Sequence, residues 1–135
     1  MTPGEFFVKY QGQKIDYDKA FGPQCVDVFR QYCQDVIGCR HTGSVEPEGA
    51  KGIWFRYSEN DEKLFFNRFS ASQAKYGDVI IWDASDTNKY GHVAIVVAVH
   101  KDQVLVFEQD GFKKDGGKFA VRSLLSALGV LRKKP

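Results

Sequence analysis

Three cysteines in 135 residues, Cys25, Cys33 and Cys39, are too few and too irregularly spaced for a disulfide framework. No C-x-x-C pair occurs, which argues against a structural zinc site. No apolar run approaches the ~20 residues that cross a bilayer. An excess of one charge is also missing: 19 Lys and Arg against 17 Asp and Glu leave a net +2, too little to argue for nucleic acid. The opening Met-Thr-Pro-Gly-Glu-Phe-Phe has no basic region followed by an apolar stretch, so no secretory signal is expected. Repeats, low-complexity tracts and linkers are absent. What is present is ordinary for a globular chain, 43% apolar and 27% charged, and its length suits a single domain over residues 1–135 with one core.

Periodicity divides the chain in two. A short helix is expected around Glu5–Tyr10, followed by an acidic loop rich in turn formers. Cys25, Val28, Phe29, Tyr32, Cys33 and Val36 recur at helical spacing, which predicts a helix over Gln24–Ile37 ended by Gly38. Residues 39–50 read as loop. A second helix is expected over Ala50–Ser58, and a strand over Leu64–Phe69. From Gly77 onward the pattern is β. Val79–Trp82, His92–Val99 and Val104–Phe107 are short runs rich in β-branched residues, the last two close enough to form a hairpin. Phe119–Arg122 and Gly129–Arg132 read as edge strands. Helices first and a strand meander afterwards imply an α+β fold, with N-terminal helices packed on an antiparallel sheet.

Cys25 opens its helix, where backbone N–H groups and the helix dipole favour the nucleophilic thiolate. A buried, inert thiol is the commoner fate of a cysteine, and Cys33, two turns along, fits it. His92 stands at the start of the strongest strand, beside Gly91. It is the candidate base, since a thiol needs an imidazole partner to ionise at neutral pH. His41 and His100 read as loop and hairpin-end residues without a role. Glu108 and Asp110 end the second hairpin strand, where an acid would orient the imidazole. They share the face of His92 only if the turn has an odd number of residues, such as Lys101-Asp102-Gln103, or if a bulge shifts the register. Asp16, Asp18 and Asp27 form a separate group. It suits either a hard cation such as calcium or an Asx turn with a helix-start acid.

In order, Gln24-Cys25-Val26-Asp27, Gly77-Asp78-Val79-Ile80, Gly91-His92-Val93-Ala94-Ile95-Val96 and Phe107-Glu108-Gln109-Asp110 resemble the CHAP family, the cysteine, histidine-dependent amidohydrolases/peptidases common in phage endolysins. The resemblance implies a papain-like arrangement with Cys25 as nucleophile, His92 as base and Glu108 as third catalytic residue. A fourth polar position, usually Asn in staphylococcal-type members, falls on Asp110. It also implies one calcium ion, with side-chain ligands Asp16, Asp18 and Asp27 and carbonyl ligands Ala20 and Gly22. The substrate implied is the peptide part of bacterial peptidoglycan, cut as an N-acetylmuramoyl-L-alanine amidase or a peptide endopeptidase would cut it. A monomer with no nucleic-acid or membrane partner is expected, made in the host cytoplasm and acting at the wall after release. Two alternatives stay open: a related thiol transamidase or deamidase on another substrate, and a calcium-stabilised wall-binding module without catalysis.

Overall fold

Helix α1, Pro3–Tyr10, begins with a reciprocal cap. The Thr2 hydroxyl accepts from the Glu5 N–H at 3.1 Å, and the Glu5 carboxylate accepts from the Thr2 N–H at 2.9 Å. A computed structural model describes residues 1–19, 22, 24–113 and 115–135, so the proposed ligand Ala20 lies outside the described residues. Helix α2 runs over Cys25–Tyr32 and buries Val28, Phe29 and Tyr32. The expected long helix does not continue unchanged: Cys33–Ile37 widens into a π turn, and Gly38 ends it at φ 90°. The left-handed conformation of that last residue is the reason for glycine there. The helix expected over Ala50–Ser58 is reduced to α3, Gly52–Phe55, and a 3-10 turn at Tyr57–Glu59. No described helix is long and apolar enough to cross a membrane.

Six strands form one antiparallel sheet: β1 Phe66–Phe69, β2 Val79–Trp82, β3 His92–His100, β4 Gln103–Glu108, β5 Lys118–Ser123 and β6 Ala127–Lys133. Their spatial order is β1-β6-β2-β3-β4-β5. The edge position expected for Phe119–Arg122 holds, since β5 is an edge. Gly129–Arg132 does not lie at an edge. It belongs to β6, which pairs with both β1 and β2, and its Val130 and Leu131 are wholly buried. The apolar residues of β6 gain more burial between two strands than at a solvated edge. Only Leu124, Leu125 and Ser126 separate β5 from β6, although β2, β3 and β4 lie between them in the sheet. So short a connection requires the sheet to curl.

Alternation gives the sheet two apolar faces. Val79, Ile81, Val93, Ile95, Phe107 and Leu131 pack under the helices. Ile80, Trp82, Ala94, Val96, Val104 and Val106 make a second, smaller cluster on the other face. The curl is strong enough that the Trp82 indole on β2 donates to the Ser123 carbonyl on β5 at 2.9 Å, with β3 and β4 between them. It brings the start of β3, the end of β4 and the end of β5 toward one place.

Candidate active site

Cys25 is the first residue of α2 and half-buried, whereas Cys33 is wholly buried in the core. Two links fix this helix start. The Asp27 carboxylate, on the first turn, accepts the Gln24 N–H at 2.9 Å. Gln109, fully buried beyond the end of β4, donates from Nε2 to the carbonyls of Gln24 at 3.0 Å and Ile15 at 2.9 Å. Its Oε1 accepts from the Ile15 N–H at 2.6 Å. One side chain therefore ties the helix of Cys25 and the start of the acidic loop to the strand that carries Glu108.

His92 and Glu108 meet through a bulge. The hairpin turn has two residues, Lys101 and Asp102, because His100 pairs with Gln103. An even turn alone would set Glu108 on the face opposite His92. The register shifts between Val96 and Ala98, so Val96 stands opposite Val106, and His92, Ala94 and Val96 share a face with Val106 and Glu108. His92 Nε2 lies 2.9 Å from Glu108 Oε1. Cys25 also acts on the ring, by hydrogen bond and by charge. Burial works against the imidazolium, but the bonds and charges of Cys25 and Glu108 outweigh it and raise the His92 pKa to about 9. That direction favours the charged ring at neutral pH. Gly91, at φ 75°, leads into this strand at a place without room for a side chain: a Cβ there would stand 2.4 Å from the Trp82 carbonyl oxygen.

Glu108 is wholly buried. Burial raises its pKa, yet hydrogen bonds from Arg122 and His92 overcome that and bring it down to about 2. Arg122 Nε donates to Oε1 at 2.5 Å and a terminal nitrogen donates to Oε2 at 2.6 Å. A cleft of about 530 Å³ opens here, lined by Trp82, Asn88, His92, Asp110, Phe112 and Arg122 among others. Asp110 makes no described contact with His92. Its carboxylate instead accepts from the Phe112 and Lys113 N–H groups at 2.9 and 3.3 Å, shaping the turn at the cleft edge.

The acidic loop brings Asp16, Asp18 and Asp27 together, with one carboxylate oxygen from each within 4.8 Å of the others. Asp16 Oδ1 is buried without a hydrogen-bond partner among the described residues. Burial, with the charges of Asp18 and Asp16 adding to it, raises the Asp27 pKa to about 6. Arg30 pairs with Asp18 at 2.8 Å. An orphaned buried acceptor beside two further carboxylates fits a hard cation. Gly22 follows in a bend at φ 76°.

Sequence reasoning named Cys25, His92 and Glu108, which the structure brings together, and the three aspartates, which it groups separately. It gave no role to Arg122 or Gln109. Gln109 had a legible signal. It stands two residues after Phe107, and alternation points both toward the helices, where a polar side chain needs partners. Arg122 had none, because its contact with Glu108 depends on which strand β5 pairs with and in what register.

The family model described as CHAP domain matches residues 13–110. Over 95 residues the chain is 33% identical to the D-alanyl-L-alanine endopeptidase of Streptococcus phage B30, covering 70% of this chain and 21% of that protein. It is 30% identical over 81 residues to endolysin PlyTW of Staphylococcus phage Twort, covering 60% of this chain and 16% of that one. The chain thus spans about a fifth of the length of these relatives. The crystal structure of the wild-type endolysin LysIME-EF1 superposes with a TM-score of 0.73 at 22% identity, over 98% of this chain and 64% of that one. This is a likeness of fold. With the family model spanning most of the sequence, the chain belongs to the CHAP domain family.

Proposed function

We propose that this chain hydrolyses an amide or peptide bond in the peptide part of bacterial peptidoglycan by thiol catalysis. The observation that carries the reading is the connected series Cys25, His92 and Glu108, whose middle member, His92, lines an open cleft, in a CHAP domain whose relatives are named endolysin and endopeptidase. The Cys25 sulfur, its proton held by His92, attacks the substrate carbonyl carbon. N–H groups at the start of α2, with the Gln24 side chain, hold the oxyanion. The tetrahedral adduct collapses to a thioester as the C–N bond breaks, and His92 gives its proton to the leaving amine. Water then attacks the thioester with His92 as base, the C–S bond breaks to release the carboxylic acid, and the thiolate–imidazolium pair is restored. Glu108 keeps the ring oriented and stabilises its charged form. Asp110 sits where it shapes the cleft rim.

Calcium is the implied cofactor, and Asp16, Asp18, Ala20, Gly22 and Asp27 are the residues that would hold it. Bound there, it would neutralise the clustered carboxylates and order the loop leading into α2. The chain is further proposed to act as a monomer at the bacterial wall after release. Digestion of purified peptidoglycan, with new terminal amines identified by mass spectrometry, tests the reading. New amines from the stem or bridge peptides indicate an endopeptidase, and free L-alanine amines indicate an amidase. No release of amines by folded, calcium-loaded protein would overturn the proposal.

A further inference from the structure

The Glu108 side chain is wholly buried, and a charge on it persists only when it is matched. His92 reaches one carboxylate oxygen. Arg122 reaches both, side-on, through its Nε and a terminal nitrogen. No other side-chain donor meets Glu108 among the described residues. Arg122 lies on the edge strand β5 with 38% of its side chain exposed, lines the cleft and stands 5.9 Å over the Trp82 ring. A residue that served only to fix β5 would not need to converge on the oxygen that His92 also uses.

We propose that Arg122 is a positioning residue of this site, clamping Glu108 so that one carboxylate oxygen stays aimed at His92 Nε2. The proposal rests on the thiol reading above. Arg122 has two opposed effects. It keeps Glu108 ionised and fixed in rotation. It also shares Oε1 with His92 and so holds part of the carboxylate's charge away from the imidazolium. The groups that face this pair are Cys25 from α2, Glu108 from β4, Asp110 after β4 and Asp83 across the cleft, with the Trp82 ring 5.6 Å from the His92 ring. None of these is a cation that could take the place of Arg122 against Glu108. Without the guanidinium the buried carboxyl takes up a proton more readily, and a neutral carboxyl no longer favours the charged ring.

The test is a set of pH–rate profiles on purified peptidoglycan for the parent, Arg122→Gln, Arg122→Lys and Cys25→Ala, each with a thermal melt. Arg122→Gln is expected to lose about tenfold in kcat at neutral pH, a fraction of what acid–base catalysis supplies. KM should change less than kcat, and the acid limb should move upward by about 1–3 pH units, the span a guanidinium commonly lowers a neighbouring carboxyl. Arg122→Lys keeps the charge without the fork, so its kcat should be intermediate and its acid limb should move by less. If Arg122→Gln does not fold, Arg122→Lys decides alone: an acid limb shifted upward supports the clamp, and an unmoved one overturns it. Parent-like kcat and profile in Arg122→Gln overturn the proposal. So does an equal loss at every pH in both variants, which would mark strand packing only. An inactive Cys25→Ala beside such results confines the failure to Arg122, whereas an active Cys25→Ala sinks the thiol reading and this proposal with it.

Discussion

Two cysteines eight residues apart on one helical face have different environments. Cys25 is half-buried at the helix start against an imidazole, and Cys33 is sealed in the core, where burial pushes its thiol well up. Cys25→Ala is therefore expected to abolish wall lysis with the melting temperature near that of the parent. Cys33→Ala should keep lysis and cost about 1 kcal/mol through the small void it leaves. Turbidity assays paired with melts check both, and full lysis by Cys25→Ala would refute the mechanism. The two acids differ in the same way. Glu108 holds His92, while Asp110 is occupied by backbone N–H groups of the next turn. With the ring raised to about 9, the charged form is present below that pH and is lost as pH rises through it. The parent's activity should thus fall near pH 9. Glu108→Gln removes a stabilising charge, so the alkaline limb should move down toward the ordinary histidine value of about 6.5 with a strong loss of rate. Asp110→Ala should lower the rate less and leave that limb in place. A larger loss in Asp110→Ala would reverse the assignment.

At the scale of elements, the site depends on a bulge and a loop. The bulge near Val97 aligns the far end of β4 with the start of β3. The acidic loop is joined to the end of β4 by Gln109 and to α2 by Asp27, two residues after Cys25. Ordering the loop with a cation would therefore fix the position of Cys25. Chelation is expected to lower both melting temperature and activity, and calcium should restore both. Magnesium should restore less, because it prefers a small octahedral shell that keeps several waters. Binding to the folded state alone adds about 2.7 kcal/mol when free calcium is a hundredfold above its dissociation constant. Isothermal titration of the chelated protein measures this directly. If no heat of binding appears at millimolar calcium, the cluster is only a turn with a helix-start acid.

For the molecule as a whole, the curl of the sheet makes the cleft. The Trp82 indole reaching Ser123 fastens β2 to β5 across two intervening strands, while its ring stands beside both His92 and Arg122. Trp82→Phe keeps an aromatic ring but removes the donor and part of the ring's area. It should cost about 1 kcal/mol for the lost bond and lower the melting temperature by several degrees. Denaturant unfolding and thermal melts provide the values. An unchanged stability would mean that the curl is held by the apolar cluster of Ile80, Val96 and Val106 without that bond.

By itself the sequence determined the local features. The helical spacing of Val28, Phe29 and Tyr32, the β-branched runs at Val79–Trp82 and His92–Val99, and the glycine at the end of the second helix all follow from period and backbone preference, which act between near neighbours. The candidates Cys25, His92 and Glu108 were legible because each stands at an end of such an element, and the four motifs came in a recognisable order. Tertiary structure decided whatever depended on distant partners. It chose the bulge over an odd turn, placed β6 inside the sheet, widened the second helix into a π turn and shortened the third. It also brought Arg122 onto Glu108 and Gln109 onto the carbonyls of Ile15 and Gln24. No local pattern encodes those contacts, because the cost of burying a charge or an amide is met by groups distant in sequence that only the folded chain brings within reach.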